Sequence, residues 1–219
     1  HVADVAHHAV LARDGQLAAA ACLGAARQSL RVFANGDAFA LARRGVRHAE
    51  HLEEPERTKH LIDLAEVMLG ARRPEDVDAE AKRVEVLAER ALDLGCREHA
   101  RLGFHLVSFL RWERGSWADA RKLMLQAELV SRGGTEAERV RGIAEAARCL
   151  VLLERDLGHA QALALEAAAR GRQAGIEHPA TYDALGMIEL HRGRLDAALA
   201  ELERARELAR SHRDHYDEF

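Results

Sequence analysis

Apolar and small residues recur every three to four positions along the chain, and the clearest instance is segment 182–209. Tyr182, Leu185 and Gly186 fall on one side of a first helix, and Gly193 ends that helix. A second helix follows, with the same spacing at Leu195, Ala198, Leu202 and Ala205. Because Gly186 and Ala198 are small, the two backbones can approach closely. The pattern predicts an antiparallel helical hairpin.

Weaker copies of this hairpin precede it. One is formed by Phe104, Val107, Ser108, Gly115, Trp117, Ala120, Met124 and Ala127. In another, Ala162 and Ala169 stand 36 residues before Ala198 and Ala205 (198 − 162). The tail HYDEF at 215–219 echoes TYDAL at 181–185, so we expect another repeat to begin there, either interrupted or closed as a capping helix. Spacing and residue type resemble the tetratricopeptide (TPR) repeat, a helix pair recurring about every 34 residues.

Turn residues divide the chain into about eleven predicted helices. The breaks fall near Gly15, Asn35-Gly36, Glu54-Pro55, Arg73-Pro74, Gly95, Gly115, Gly133-Gly134, Leu157-Gly158, Gly175 and Gly193. No run alternates β-branched residues as a strand would. We therefore predict an all-α protein in which residues 1–219 form a single TPR-like domain. Its antiparallel helix pairs would stack into a right-handed superhelical solenoid.

Composition and charge narrow the possible functions. The formal net charge is −4, which favours neither nucleic acid nor an anionic membrane as a partner. Three widely spaced cysteines match no zinc or disulfide pattern and suggest a reducing cytoplasm. No segment approaches the roughly 18 apolar residues of a membrane span. Because the chain begins at His1, we expect it to be a segment of a longer protein.

The first third carries a further resemblance. Its features are His7-His8 before Gly15, the alanine-rich run 19–26, the segment 31–35, and Pro55-Glu56-Arg57 ahead of Leu61, Leu64 and Leu69. Together they resemble the TPR-like region that follows the nucleotide-binding module of bacterial multidomain signalling ATPases and transcription regulators. The resemblance implies an arm that binds a partner protein or an inducer and passes the response to an upstream ATPase. No phosphate-binding G-x-x-x-x-G-K-[ST] loop occurs within this chain.

Candidates for chemistry are weak. His48 with His51, and His212 with His215, share a helical face, but two histidines are too few for a metal site, even with Glu50 and Asp214 nearby. The cysteines fall in apolar stretches, where burial suppresses thiolate formation. Carboxylates alternate with arginines as on ordinary exposed helices. We therefore predict a protein with no catalytic residues, no metal and no cofactor.

The inner face of the helix pairs is a better candidate for binding. The predicted lining is Leu102, His105, Phe109, Trp112, Glu113, Val151, Glu154, Arg155, Asp183, Met187, Leu190 and His191. Phe109 and Trp112 could anchor a ligand, or could instead pack between neighbouring repeats. The first functional hypothesis is therefore a protein- or peptide-binding regulatory arm, with the upstream ATPase module of its own chain as one possible partner. The alternative is a sensor that holds a small-molecule inducer near Trp112.

Overall fold

A computed structural model describes residues 14–154 and 156–212 of the chain, with the side chain of His212 left undescribed. About 83% of these residues are helical, and none of them forms a strand. They form ten helices, one fewer than predicted, because the first predicted helix precedes Gly15 and lies outside the described residues. Each of the other predicted breaks lies between two observed helices or, at Asn35-Gly36 and Leu157-Gly158, in the first two residues of the following helix.

The chain divides into two compact units, residues 1–110 and 111–219. The helices of the first unit are α1 (Gly15–Arg31), α2 (Asn35–Ala49), α3 (Glu56–Ala71), α4 (Val77–Asp93) and α5 (Arg97–Glu113), and the boundary falls within α5. The second unit contains α6 (Trp117–Arg132), α7 (Glu136–Leu152), α8 (Leu157–Ala174), α9 (Pro179–His191) and α10 (Leu195–His212).

Neighbouring helices pack in the order of the chain within each unit. In the first unit α1 packs on α2, α2 on α3, and α3 on α4, while α1 also contacts α3. In the second unit the consecutive pairs from α6 to α10 are all in contact, and α7 also contacts α9. In the first unit α1 therefore touches both its own partner and α3, and in the second unit α7 touches both its own partner and α9.

Local sequence explains where helices begin and end. Asp14 and Asp76 cap α1 and α4 by accepting bonds from the third following backbone N–H, each at 2.9 Å. Thr135 and Glu138 form a reciprocal capping box at the start of α7. Gly193, with φ of 72°, makes the tight turn between α9 and α10. That turn was predicted, and it is confirmed.

The helix pairs are longer than the 34-residue repeat that the sequence resembles. Successive first helices begin 41, 41, 39 and 43 residues apart (56 − 15, 97 − 56, 136 − 97, 179 − 136). All helices but the 13-residue α9 are 15 to 18 residues long, so a pair with its connections needs about 40 residues. The longer helices account for the longer interval.

This longer interval corrects one predicted alignment. Ala162 and Ala169 are exposed, whereas Ala160 and Ala167 are buried with at most 1% of their surface exposed. The buried pair lies 38 residues before the buried alanines at 198 and 205 (198 − 160). The 36-residue alignment was therefore wrong, since it placed solvent-facing alanines in core positions.

Small residues recur at fixed places on the second helices. Positions 4 and 11 of α2, α6, α8 and α10 hold Ala38 and Gly45, Ala120 and Ala127, Ala160 and Ala167, and Ala198 and Ala205. All eight are buried. In α4 the equivalent pair is shifted by one position, to Ala81 and Ala88. Small residues seven apart on one helical face allow a neighbouring helix to approach closely.

Candidate functional site

Helices α1, α3 and α5 share a charged cluster, which we call the unit 1 face: Arg27, Asp63, Glu66 and His99. A guanidinium nitrogen of Arg27 lies 3.4 Å from Asp63 Oδ1 and 3.0 Å from Glu66 Oε2. His99 Nε2 lies 3.8 Å from the same Asp63 oxygen. One arginine, two carboxylates and one imidazole from three helices are therefore brought together.

The charge of this cluster depends on His99. Burial lowers the pKa of His99 below its usual value, and the negative charge of Asp63 only partly opposes that effect. The imidazole is consequently neutral at neutral pH. Burial also raises the pKa of Glu66, and the positive charges of Arg27 and Arg101 only partly oppose that effect.

A pH experiment tests the state of His99. Since its folded pKa lies below the unfolded value of about 6.5, the unfolded chain binds the proton more readily as pH falls below 6.5. The stability that neutral His99 contributes above pH 6.5 is therefore lost as the pH falls. We expect His99→Gln to lose less stability than the wild type between pH 7.5 and 5.5, measured by urea unfolding. An NMR titration placing the His99 pKa at or above 6.5 would contradict the assignment.

The second unit carries a different surface, which we call the unit 2 face: Arg148, Leu152, Asp183, Met187 and Leu190. A guanidinium nitrogen of Arg148 on α7 lies 3.8 Å from Asp183 Oδ2 on α9. Leu152 and Met187 follow one helical turn later on the same sides of these helices. Leu152 and Leu190 are 49% and 53% exposed, which leaves apolar surface beside the polar pair.

The predicted lining residues of the first unit differ in how far they are exposed to solvent. Leu102 and His105 are half-buried on α5, and Phe109 is 48% exposed. Phe109 therefore keeps about half of its surface open to solvent rather than disappearing into the core.

In the second unit the predicted lining residues differ both in position and in exposure. Asp183, Met187 and Leu190 belong to the unit 2 face, while Glu154 and His191 are exposed near helix ends. Trp112 is 39% exposed and Glu113 is half-buried. Arg155 lies outside the described residues.

One predicted lining residue is corrected. Val151 has no exposed surface and packs in the hydrophobic core of the second unit with Leu150, Ile143 and Ile188. On α7 the exposed stripe passes instead through Arg141, Glu145, Arg148 and Leu152. Val151 therefore cannot contact a ligand, and Leu152 takes its place on the surface.

Sequence reasoning missed the charged pairs between first helices. Arg27, Asp63 and His99 are separated by 36 residues each (63 − 27, 99 − 63), and Arg148 and Asp183 by 35 (183 − 148). Opposite charges at one repeat interval were therefore a usable signal. Charge pairs three or four residues apart lie along a single helix and carry no information about contacts between helices.

The thiols and histidines offer little chemistry. Burial raises the pKa of the Cys149 thiol to about 11 and also raises that of Cys22, so neither is a ready nucleophile. Burial and the charges of Arg44 and Arg47 lower the pKa of His48. Within the described part of the chain, no three His, Cys, Asp or Glu side chains group as a metal site would require. His7, His8, Asp214 and His215, and the side chain of His212, are not described.

Among the helices of residues 14–154 and 156–212, none has the length and apolar character needed to cross a bilayer. No protein-family model matches the chain, and a comparison with curated proteins finds no significant match.

Proposed function

We propose that this chain is a non-catalytic TPR-like repeat domain that binds protein or peptide segments on the exposed faces of its first helices. The observation that carries the proposal is the unit 2 face, where Leu152 and Leu190 are half exposed beside the Arg148–Asp183 pair. Exposed apolar side chains flanked by a few polar groups suit a peptide anchored by an apolar residue.

The arrangement of helices supports the finer part of the proposal, a right-handed solenoid of antiparallel pairs. Recurring buried small residues on second helices, and contacts between successive first helices, are what stacked helical hairpins require. The interval of about 40 residues makes each pair longer than a tetratricopeptide repeat. The proposed solenoid is therefore built like a tetratricopeptide array, but from longer helix pairs.

Peptide selection tests the binding surface. Peptides selected from a random 15-residue display library against the full chain are measured by fluorescence anisotropy against the wild type and two variants. We expect Leu190→Glu to weaken binding at least about tenfold, because it puts a charge where an apolar anchor sits. Leu165→Glu is the matched control, since Leu165 on the second helix α8 is 52% exposed.

The outcomes are distinct. Selected peptides that are insensitive to Leu190→Glu, or equally sensitive to Leu165→Glu, would contradict binding on the unit 2 face. Failure to select any peptide against the folded chain would contradict peptide binding altogether.

We propose further that the domain is the regulatory arm of a larger bacterial signalling ATPase or transcription regulator, acting in the cytoplasm. The support is the resemblance carried by residues 7–69 to the region that follows the nucleotide-binding module in such proteins. Reading the natural coding sequence upstream of residue 1 tests this directly. A phosphate-binding-loop ATPase there supports the regulatory arm, and its absence means a free-standing adaptor.

A further inference from the structure

A cavity of about 350 Å³ lies within the first unit, where α2, the end of α3 and the start of α4 meet. Phe39, Met68, Leu69 and Ala79 contribute apolar surface to it. This volume is within the range of small-ligand pockets, which are mainly apolar with a few well-placed polar groups. The cavity is separate from both faces described above, and no pattern in the sequence indicates it.

Arg72 connects the apolar wall to the charged rim. Its guanidinium lies over the Phe39 ring, 5.6 Å from the ring centre. Its carboxylate partner is Glu75, at 3.2 Å, and the two side chains are 58% and 88% exposed. Such an exposed pair contributes little stability. A ligand carboxylate could therefore replace Glu75 on Arg72 at little cost.

The neighbouring carboxylates are held more firmly. Asp76 caps α4 by accepting the Ala79 backbone N–H at 2.9 Å. Glu80 accepts two bonds from Arg83, at 2.9 and 2.6 Å. Paired bonds of this kind are stronger than a single exposed contact. Among these three contacts, the Arg72–Glu75 pair is the easiest to exchange, so Arg72 is the group in this cavity best placed to take a ligand anion.

We propose that this cavity binds a small amphipathic carboxylate. Its aromatic or alkyl body lies against Phe39 and Met68, and its carboxylate takes the place of Glu75 on Arg72. This site is independent of the peptide-binding function proposed above, because none of its residues belongs to either face.

The test uses 4-phenylbutyrate and its neutral amide, 4-phenylbutyramide, titrated into the full chain and followed by two-dimensional ¹H–¹⁵N NMR. We expect amide shifts concentrated at residues 68–83. The acid should bind about tenfold more tightly than the amide, the difference expected from one charge-assisted hydrogen bond. Equal affinities for acid and amide, dispersed shifts, or no binding by either probe would overturn the proposal.

Two variants locate the contacts. Arg72→Gln should remove the preference for the acid, while Ala79→Leu should weaken both probes about tenfold by filling the cavity. The matched controls are Arg43→Gln and Ala162→Leu, which make the same changes at exposed positions of α2 and α8 and should leave both affinities unchanged. A preference for the acid that survives Arg72→Gln, or binding unaffected by Ala79→Leu, would overturn the assignment.

Discussion

Replacing Phe104 with alanine is expected to lower the free energy of unfolding by about 3–5 kcal/mol. Phe104 on α5 is only 1% exposed and is among the largest fully buried side chains of the described residues. Its truncation removes the transfer free energy of the ring and leaves a cavity that neighbouring helices can only partly close. Urea unfolding followed by circular dichroism measures the loss. If urea unfolding resolves two transitions, most of the loss in unfolding free energy should appear in one of them.

Phe109 provides the matched control, because it lies five residues further along the same helix and is 48% exposed. Phe109→Ala should cost less than about 1 kcal/mol, as a substitution at a half-exposed position removes fewer contacts. Equal losses for the two variants would contradict the burial described for α5. Trp112→Ala extends the comparison: a large loss of stability would identify Trp112 as a packing residue, and unchanged stability with loss of a bound peptide would identify it as a ligand contact.

The helices themselves were largely predictable, because the signals that define them are local. Gly95, Gly115, Gly175 and Gly193 adopt positive φ values in connections between helices, and glycine tolerates that conformation best. Pro179 begins α9, where a missing N–H costs nothing. Each signal involves a few adjacent residues and can be read without knowledge of the fold.

The alignment of repeats was less predictable, because alanine is abundant on both sides of these helices. Ala160 and Ala162 are both plausible core residues in the sequence, and only packing distinguishes the buried one from the exposed one. An error of two residues rotates the inferred face by about 200°, since successive residues are about 100° apart. Choosing the 36-residue interval therefore selected the wrong side of α8.

The candidate sites were the least predictable part. The Arg27–Asp63 contact joins helices 36 residues apart, and the cavity beside Phe39 joins three helices and a connecting segment. Neither follows from a pattern within one helix. The buried side chain of Val151 shows the same limit, because its exposure is decided by neighbours from other helices.

The sequence predicts that two helices approach closely where one of them carries a glycine. An ideal Cβ on Gly186 would lie 3.1 Å from the Ala198 carbonyl oxygen, which confirms the small-residue contact predicted between these two positions. An equivalent approach occurs in the first unit, where a Cβ on Gly103 of α5 would lie 2.6 Å from Ala88 Cβ and 3.1 Å from Ala88 Cα of α4. Because one of these atoms belongs to the backbone, a rotamer change cannot relieve the clash.

Gly103→Ala should therefore lower the free energy of unfolding by about 1–3 kcal/mol, the usual cost of overpacking a core. The expected loss opposes intrinsic propensity, which favours alanine over glycine within a helix by about 1 kcal/mol. Gly36→Ala is the matched control. Gly36 lies in α2, and apart from its chain neighbours and the nearby backbone of its own helix no atom lies within 4 Å of an added Cβ, so that variant should be neutral or slightly more stable.

A second substitution separates steric conflict from other causes. If Gly103→Ala destabilises the chain because it meets Ala88, then Ala88→Gly should cost less in the Gly103→Ala background than in the wild type. The double-mutant cycle, measured by urea unfolding, would then give a favourable coupling between the two positions. Additive effects would mean that α4 and α5 do not approach as closely as the structure indicates. Ala88 would then reflect helix propensity alone, whereas a favourable coupling makes it a packing contact between α4 and α5.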